Sequence, residues 1–379
     1  MASIRPSNTT HILNLAENKH GYDFVIGDLH GTLLPLTEAC RYLERASDRL
    51  MIAGDLLDRG KENTEVIQFI LEYNDNDNKP GKIYSVCGNH ELMYQQTIAA
   101  CENIIKENPE VLFGIDFSIC NDMRSYESMC KIADTLINAK KHDAELVDAI
   151  NQLKLHCNPA NGGAWLLSLF NQEFDNDMIR LDANRHIIYE DQSKIKLIRD
   201  YISSLPVIIH VGGTNPFLVV HASMPVDDWK LKRLMEDNLG LTDEEIEYAV
   251  LARPDHTERP ITDIGRHPWS IIVYVGHTII DDRNLSKCID TKTNTVFLDT
   301  ASYFTGISVV INHLNNQCMF TESVIELLRI PEFRYLSDMV EMVQMHLGLQ
   351  NELCIQRLRD AKLREMNNIM PRQRTASSK

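Results

Sequence analysis

The chain has 379 residues, 44% of them hydrophobic and 24% charged, with a formal net charge of −16 at pH 7. That composition fits a globular chain with a large core rather than a disordered one, and the acidic balance argues against nucleic acid as a partner, which would need a basic footprint. Nine cysteines, scattered and without a CxxC pair, argue against a disulfide framework or zinc ribbon and for a reducing compartment. No N-terminal stretch reads as a signal peptide and no run approaches the ~20 apolar residues of a transmembrane segment. A soluble, cytoplasmic location is therefore the default expectation, with delivery as a secreted effector by a signal-less route left open.

Residues 1–20 are polar and read as a loosely held lead-in, with Ile12 and Leu13 as docking points. Three short apolar runs follow, Tyr22–Ile26, Leu50–Ala53 and Ile83–Cys87, each ending at a glycine motif. Runs this short without polar alternation read as strands buried on both faces. The helical periods at Thr37–Ala46 and Asn63–Tyr73 alternate with them in a β-α-β-α-β pattern, which calls for right-handed crossovers and a largely parallel sheet. From residue 92 to about 204 the period lengthens into amphipathic stretches, including Met129–Ala139 and Ala144–Leu155, interrupted by the turn sequence NPANGGAW at 158–165. This segment reads as a helical insertion beside the site. Strands resume at Pro206–His210 and Phe217–His221, and Ile271–Val275 leads into Gly276-His277. Thr295–Leu298, Gly306–Ile311 and Gln317–Thr321 read as an antiparallel meander. The expected fold is α/β (α+β), with two stacked mixed β-sheets flanked by helices. Residues 1–330 would form the catalytic domain. Residues 331–379 would form a helical tail whose end, from Arg357 on, carries seven basic and two acidic residues.

The motifs at the strand ends are GDLHG at 27–31, GDLLDRG at 54–60 and GNHE at 88–91. Ligands of open α/β sheets bind beyond the carboxyl ends of the strands. Asp28, His30, Asp55, Asn89, His221 and His277 therefore gather on one rim. Two carboxylates, one amide and three imidazoles form a mixed N/O donor set that suits Mn²⁺, Fe or Zn²⁺ better than Ca²⁺. Asp28 and His30, two residues apart, face one side and could take one cation. Asp55 could bridge to a second held by Asn89, His221 and His277, an arrangement that clamps a phosphoryl group.

These three motifs, with HAS at 221–223 and GHT at 276–278, resemble the phosphoprotein phosphatase family of binuclear metallophosphatases with its calcineurin-like sandwich, closer to the bacterial and phage-type branch. The resemblance implies two divalent metal ions, Mn²⁺ first, and in-line attack by a metal-bridging hydroxide on phosphoserine or phosphothreonine protein, with phosphotyrosine also open. It implies His90 as general acid, Asp58 as its orienting partner, and Arg59 with Arg253 as phosphate-binding residues, Arg266 competing with Arg253. A diadenosine tetraphosphate hydrolase is the alternative within enzymes, and an inactive phosphatase fold used as a binding module the alternative of another class. His210 reads as a turn histidine, His20, His156, His267 and His313 as surface or core residues, and Trp165 as core. The 92–204 insertion or the 331–379 tail could recruit a targeting partner.

Overall fold

The computed structural model describes residues 11–107, 123–139, 143–237, 239–252, 271–281, 288–291, 293–315, 317–320 and 338–348. Two mixed sheets flanked by helices form a calcineurin-like sandwich. The first has the order β13-β12-β2-β3-β4. Its strands β2 (Asp23–Ile26), β3 (Arg49–Ile52) and β4 (Lys82–Ser85) run parallel, while β12 (Val309–Asn312) pairs antiparallel with β2 and with β13 (Gln317–Phe320). The second has the order β1-β7-β8-β9-β11-β10, with β1 at Ile12–Leu15, β7 at Ile208–Val211, β10 at Ile289–Asp290 and β11 at Thr295–Phe297. There β8 (Phe217–Val220) and β9 (Ile272–Val275) are buried along their whole length, as sheets covered on both faces require.

Helices α1 (Leu33–Cys40) and α2 (Asn63–Asp75) link the parallel strands of the first sheet. Helix α1 begins a turn before the expected Thr37, because Pro35 falls in the first turn, where its missing N–H costs nothing. Helix α3 (Asn89–Glu107) starts inside the GNHE motif itself, so Asn89 and His90 stand at a helix N-terminus. The segment from 92 to 204 continues with α4 (Met123–Ala139), α5 (Ala144–His156) and α6 (Trp165–Asp175). A hairpin of β5 (Ile179–Leu181) and β6 (Ile187–Tyr189) then precedes α7 (Lys194–Ser203). The NPANGGAW turn lies between α5 and α6 and brings their facing ends together.

Two expectations are corrected. The lead-in contains β1 (Ile12–Leu15), an edge strand parallel to β7 (Ile208–Val211) with Ile12 opposite Ile208. Four residues, three half-buried and Asn14 exposed, were too few to show a period. The expected meander is divided between the sheets. β11 (Thr295–Phe297) pairs parallel with β9, while β12 and β13 cross back to β2. All three runs are apolar, so alternation could not say which sheet each joins. The crossing carries a short helix (Ser302–Thr305) onto the rim of the site.

Candidate metal centre

Loops after β2, β3, β8 and β9 and the start of α3 deliver all six predicted donors to one place. Asp28, His30, Asp55, His221 and His277 are buried. Among the described residues, two clusters have ligating atoms within 4.8 Å of one another: His30, Asp55 and His90, and Asp55, His221 and His277. Asp55 belongs to both.

The loops are zipped together by backbone. His30 N–H donates to Asp55 O (2.8 Å), Gly31 N–H to Leu56 O (2.8 Å) and Gly60 N–H to His30 O (2.9 Å). This folding is strained. Of the nine non-glycine residues with positive φ among the described residues, six lie here: His30, Asp55, Asp58, Arg59, His277 and Ala301. Each costs about 1–3 kcal/mol, and such strain persists where surrounding contacts over-determine it. The close approach also fixes a motif glycine. A Cβ on Gly276 would fall 1.8 Å from Asp28 Oδ1, so no larger residue fits while Asp28 points into the site.

Hydrogen bonds set the tautomers. His30 Nδ1 donates to Leu57 O (3.1 Å), leaving Nε2 to face Asp28 Oδ2 at 3.8 Å and Asp55 Oδ2 at 3.6 Å. His221 Nδ1 donates to Ala53 O (2.8 Å), so its Nε2 lone pair faces Asn89 Oδ1 (2.9 Å), His277 Nδ1 (3.2 Å) and Asp55 Oδ1 (3.3 Å). Backbone partners that fix one imidazole nitrogen and bare the other are the usual support of a metal ligand. Lone pairs converging on lone pairs call for positive charge, and Arg59 Nη1, 2.6 Å from His30 Nε2, supplies some. The donor set thus fits a binuclear divalent-metal centre.

Burial and neighbouring charge perturb the ionisation of these groups in opposite directions. Burial and the charges of Asp299 and Asp55 push the Asp28 carboxyl well above its ordinary range. Burial would raise Asp55 too, but His221 and His90 hold it well below. Burial lowers His30 and keeps it neutral, as a ligand must be. For His90, burial is outweighed by the charge of Asp55 and the hydrogen bond to Asp58, which raise it.

His90 Nδ1 donates to Asp58 Oδ2 at 2.8 Å, leaving Nε2 facing the site, 3.8 Å from Asp55 Oδ2. The Arg59 guanidinium lies over the Tyr303 ring (5.1 Å) with Nη2 3.4 Å from His90 Nε2. Arg253 and its competitor Arg266 lie outside the described residues, as does His267. His210 stays out of the site, with Nδ1 on Asn14 Oδ1 at 2.8 Å. His313 is a core histidine between Tyr274 OH (2.8 Å) and Asn215 O (3.1 Å).

Sequence reasoning missed several residues here. Glu91, fully buried, accepts four backbone N–H groups: Asp55 (2.9 Å), Gly88 (2.8 Å), Leu56 (2.8 Å) and Leu57 (3.3 Å). Its place in GNHE was the signal. Burial and the Asp55 charge push its pKa up to about 7, and the Gly88 N–H opposes them. Asp299, buried beside Asp28, and Tyr303, edge-on to His30 at 5.4 Å, come from the crossing segment. Trp165 is half-buried rather than core, and its Nε1 donates to Asp58 Oδ1 at 2.7 Å. His156 also reaches this carboxylate, with Nε2 2.8 Å from Asp58 Oδ2. Only the glycine pair beside them hinted at a close approach. Among the described residues no helix is long and apolar enough to cross a membrane.

A sequence model described as calcineurin-like phosphoesterase matches residues 24–279. The symmetrical bis(5′-nucleosyl)-tetraphosphatase of Marinomonas sp. (strain MWYL1) is 38% identical over 71 residues, 18% of this chain and 24% of that one. The protein of the same description from Pseudomonas syringae pv. syringae (strain B728a) is 24% identical over 178 residues, 41% of this chain and 57% of that one. The chain thus spans from about a quarter to just over half the length of the curated relatives it matches. A crystal structure of a putative diadenosine tetraphosphatase superposes with a TM-score of 0.40 at 17% identity, over 82% of this chain and 96% of that one. The expected placement among phosphoprotein phosphatases is overturned, since the matching relatives are tetraphosphatases. The physical reason is plain: GDLHG, GDLLDRG and GNHE encode donors and turns, and nothing in them specifies the leaving group.

Proposed function

Because the chain belongs to the calcineurin-like phosphoesterase family, we propose that it is a metal-dependent phosphoesterase whose substrate is a bis(5′-nucleosyl) tetraphosphate, cleaved symmetrically to two nucleoside diphosphates. The observation that carries the chemistry is the shared Asp55, which joins the cluster it forms with His30 and His90 to the one it forms with His221 and His277. The substrate class is supported by the tetraphosphatases to which the chain is similar. Asp28, His30 and Asp55 would hold one divalent cation and Asp55, Asn89, His221 and His277 the other. The mixed N/O donor set supports Mn²⁺, with Fe or Zn²⁺ as alternatives. Such a pair would lower the pKa of water and offset charge on the phosphoryl oxygens.

The chain's own groups supply the rest. A water oxygen bonds to phosphorus, releasing one proton to solvent, as the bridging P–O bond breaks, and the electron pair leaves on the nucleoside diphosphate oxygen. His90 protonates that oxygen from Nε2, since Nδ1 is committed to Asp58. The raised pKa of His90 favours the protonated form this needs. Arg59 presents a planar fork to non-bridging oxygens, and Arg253 is proposed as its companion. The test is to incubate the Mn²⁺-loaded protein with bis(5′-adenosyl) tetraphosphate and, separately, with phosphoserine and phosphotyrosine peptides, and to separate the products by chromatography. Adenosine diphosphate as the sole nucleotide product, far faster than any peptide dephosphorylation, is expected. Turnover of the peptides alone would overturn the substrate assignment.

A further inference from the structure

We propose that His156 and Trp165, both carried by the helical insertion, are positioning residues that hold the Asp58 carboxylate and, through it, the His90 imidazole. This rests on the reading of His90 as the proton donor. Asp58 has no exposed surface and its carboxylate receives three side-chain donors: His90 Nδ1 and His156 Nε2 on Oδ2, each at 2.8 Å, and Trp165 Nε1 on Oδ1 at 2.7 Å. Its own N–H is held by Asn63 Oδ1 at 2.6 Å, and its φ is +73°. A carboxylate with one partner can rotate about its last bond. One gripped on both oxygens cannot, and the imidazole bonded to it inherits that orientation.

The insertion is shaped to deliver these two donors. Helix α5 ends at His156 and α6 begins at Trp165, so the turn between them brings both side chains over Asp58. A Cβ on Gly163 would lie 2.2 Å from the His156 ring, and one on Gly162 2.5 Å from Arg59 N. The glycine pair lets this turn close directly onto the GDLLDRG loop. The Trp165 ring is backed by the fully buried Tyr94, stacked at 6.1 Å, whose hydroxyl donates to Ile195 O at 3.2 Å.

A plain structural role would be that the two donors merely satisfy a buried carboxylate. Against it stands the other ring nitrogen of His156. Nδ1 is buried with no hydrogen-bond partner among the described residues. An unsatisfied buried polar atom is costly, and His90 with Trp165 already provides one donor for each Asp58 oxygen. The fold keeps a half-satisfied imidazole where an apolar ring would pack, and what it gains is a second hold on Oδ2, the oxygen His90 uses.

The test uses full-length protein, loaded with Mn²⁺ for kinetics and with diamagnetic Zn²⁺ for NMR. Trp165→Phe keeps an aromatic ring against Tyr94 while removing the N–H donor together with the pyrrole ring, so it should fold even if His156→Gln does not. We expect kcat to fall about ten- to a hundredfold with KM little changed, as misplacement of a reacting group does. In the His90→Asn background the same substitution should cause no further loss. The downfield proton of His90 Nδ1, assigned by its absence in His90→Asn, should shift in the NMR spectrum of Trp165→Phe. Equal losses in both backgrounds, or an unmoved His90 proton, would overturn the proposal. If the wild type turned over no phosphoester, the reading of the site would fail, and the proton signal would still decide whether Trp165 fixes the dyad.

Discussion

Replacing Glu91 with glutamine tests the loop architecture most sharply, because the change is nearly isosteric and removes a single acceptor. Glu91 Oε1 accepts the N–H groups of Leu56 and Leu57, and Oε2 those of Asp55 and Gly88. In either orientation, a glutamine amide turns an NH₂ group toward two N–H donors. The cheaper orientation points it at Leu56 and Leu57, since the Leu57 bond is the longest of the four at 3.3 Å. Two buried N–H groups then lose their acceptor, at about 1–3 kcal/mol each, for a loss of about 2–6 kcal/mol. Urea denaturation of the metal-free variant at neutral pH should show this as a lower midpoint with an unchanged slope. Divalent-metal affinity should fall with it, because Asp55 N–H is one of the orphaned contacts or lies beside them. A variant as stable as the wild type would refute the reasoning. It would mean that Glu91 is held protonated, as its upward shift to about 7 allows, and organises nothing by its charge.

Away from the centre, His313 tests the core. Burial lowers its pKa from 6.5 to about 4, so its contribution is whole above pH 6.5 and is lost as the pH falls toward 4. Between about pH 7.5 and about pH 5 the wild type should lose about 2 kcal/mol that His313→Gln does not lose, and parallel urea titrations showing equal losses would contradict this. Gly276→Ala should push Asp28 aside, given the 1.8 Å approach of its Cβ, and at least one cation per chain should be missing by elemental analysis; full occupancy would show that the loop can move. Arg49 holds Asp23 with two nitrogens at 2.6 and 2.8 Å, and both side chains are largely buried. Arg49→Met should cost about 3 kcal/mol by leaving a buried carboxylate without its cation, and a change below about 0.5 kcal/mol in denaturant titration would place the pair among surface bridges.

Much of the centre was legible in sequence because five of its six donors stand one residue after a glycine or two after an aspartate at the ends of apolar runs, and His221 directly ends such a run. Each such position has a local signal: a run that stops, a turn former, then a ligating type. His156 and Trp165 have none. They reach Asp58 across 98 and 107 residues of chain, from helices whose own period speaks only of packing. Strand β1 was missed for a related reason, since its partner β7 lies about 200 residues away and four residues carry no readable alternation. The meander was misread because burial pattern shows that a strand has two covered faces and not which sheet covers it. The branch of the family was misplaced for a chemical reason. The motifs specify how a phosphoryl group is held, and phosphoprotein and nucleotide substrates present the same group.

The account stands or falls on Asp55, the one side chain shared by both donor clusters. Metal content and nucleoside diphosphate release from bis(5′-adenosyl) tetraphosphate should be measured on the same preparations of wild type and Asp55→Asn. The wild type is expected to bind two divalent cations per chain and release the diphosphate, and the variant to lose both properties together. Diphosphate release that persists in Asp55→Asn, or a fully active wild type with a single cation, would contradict it.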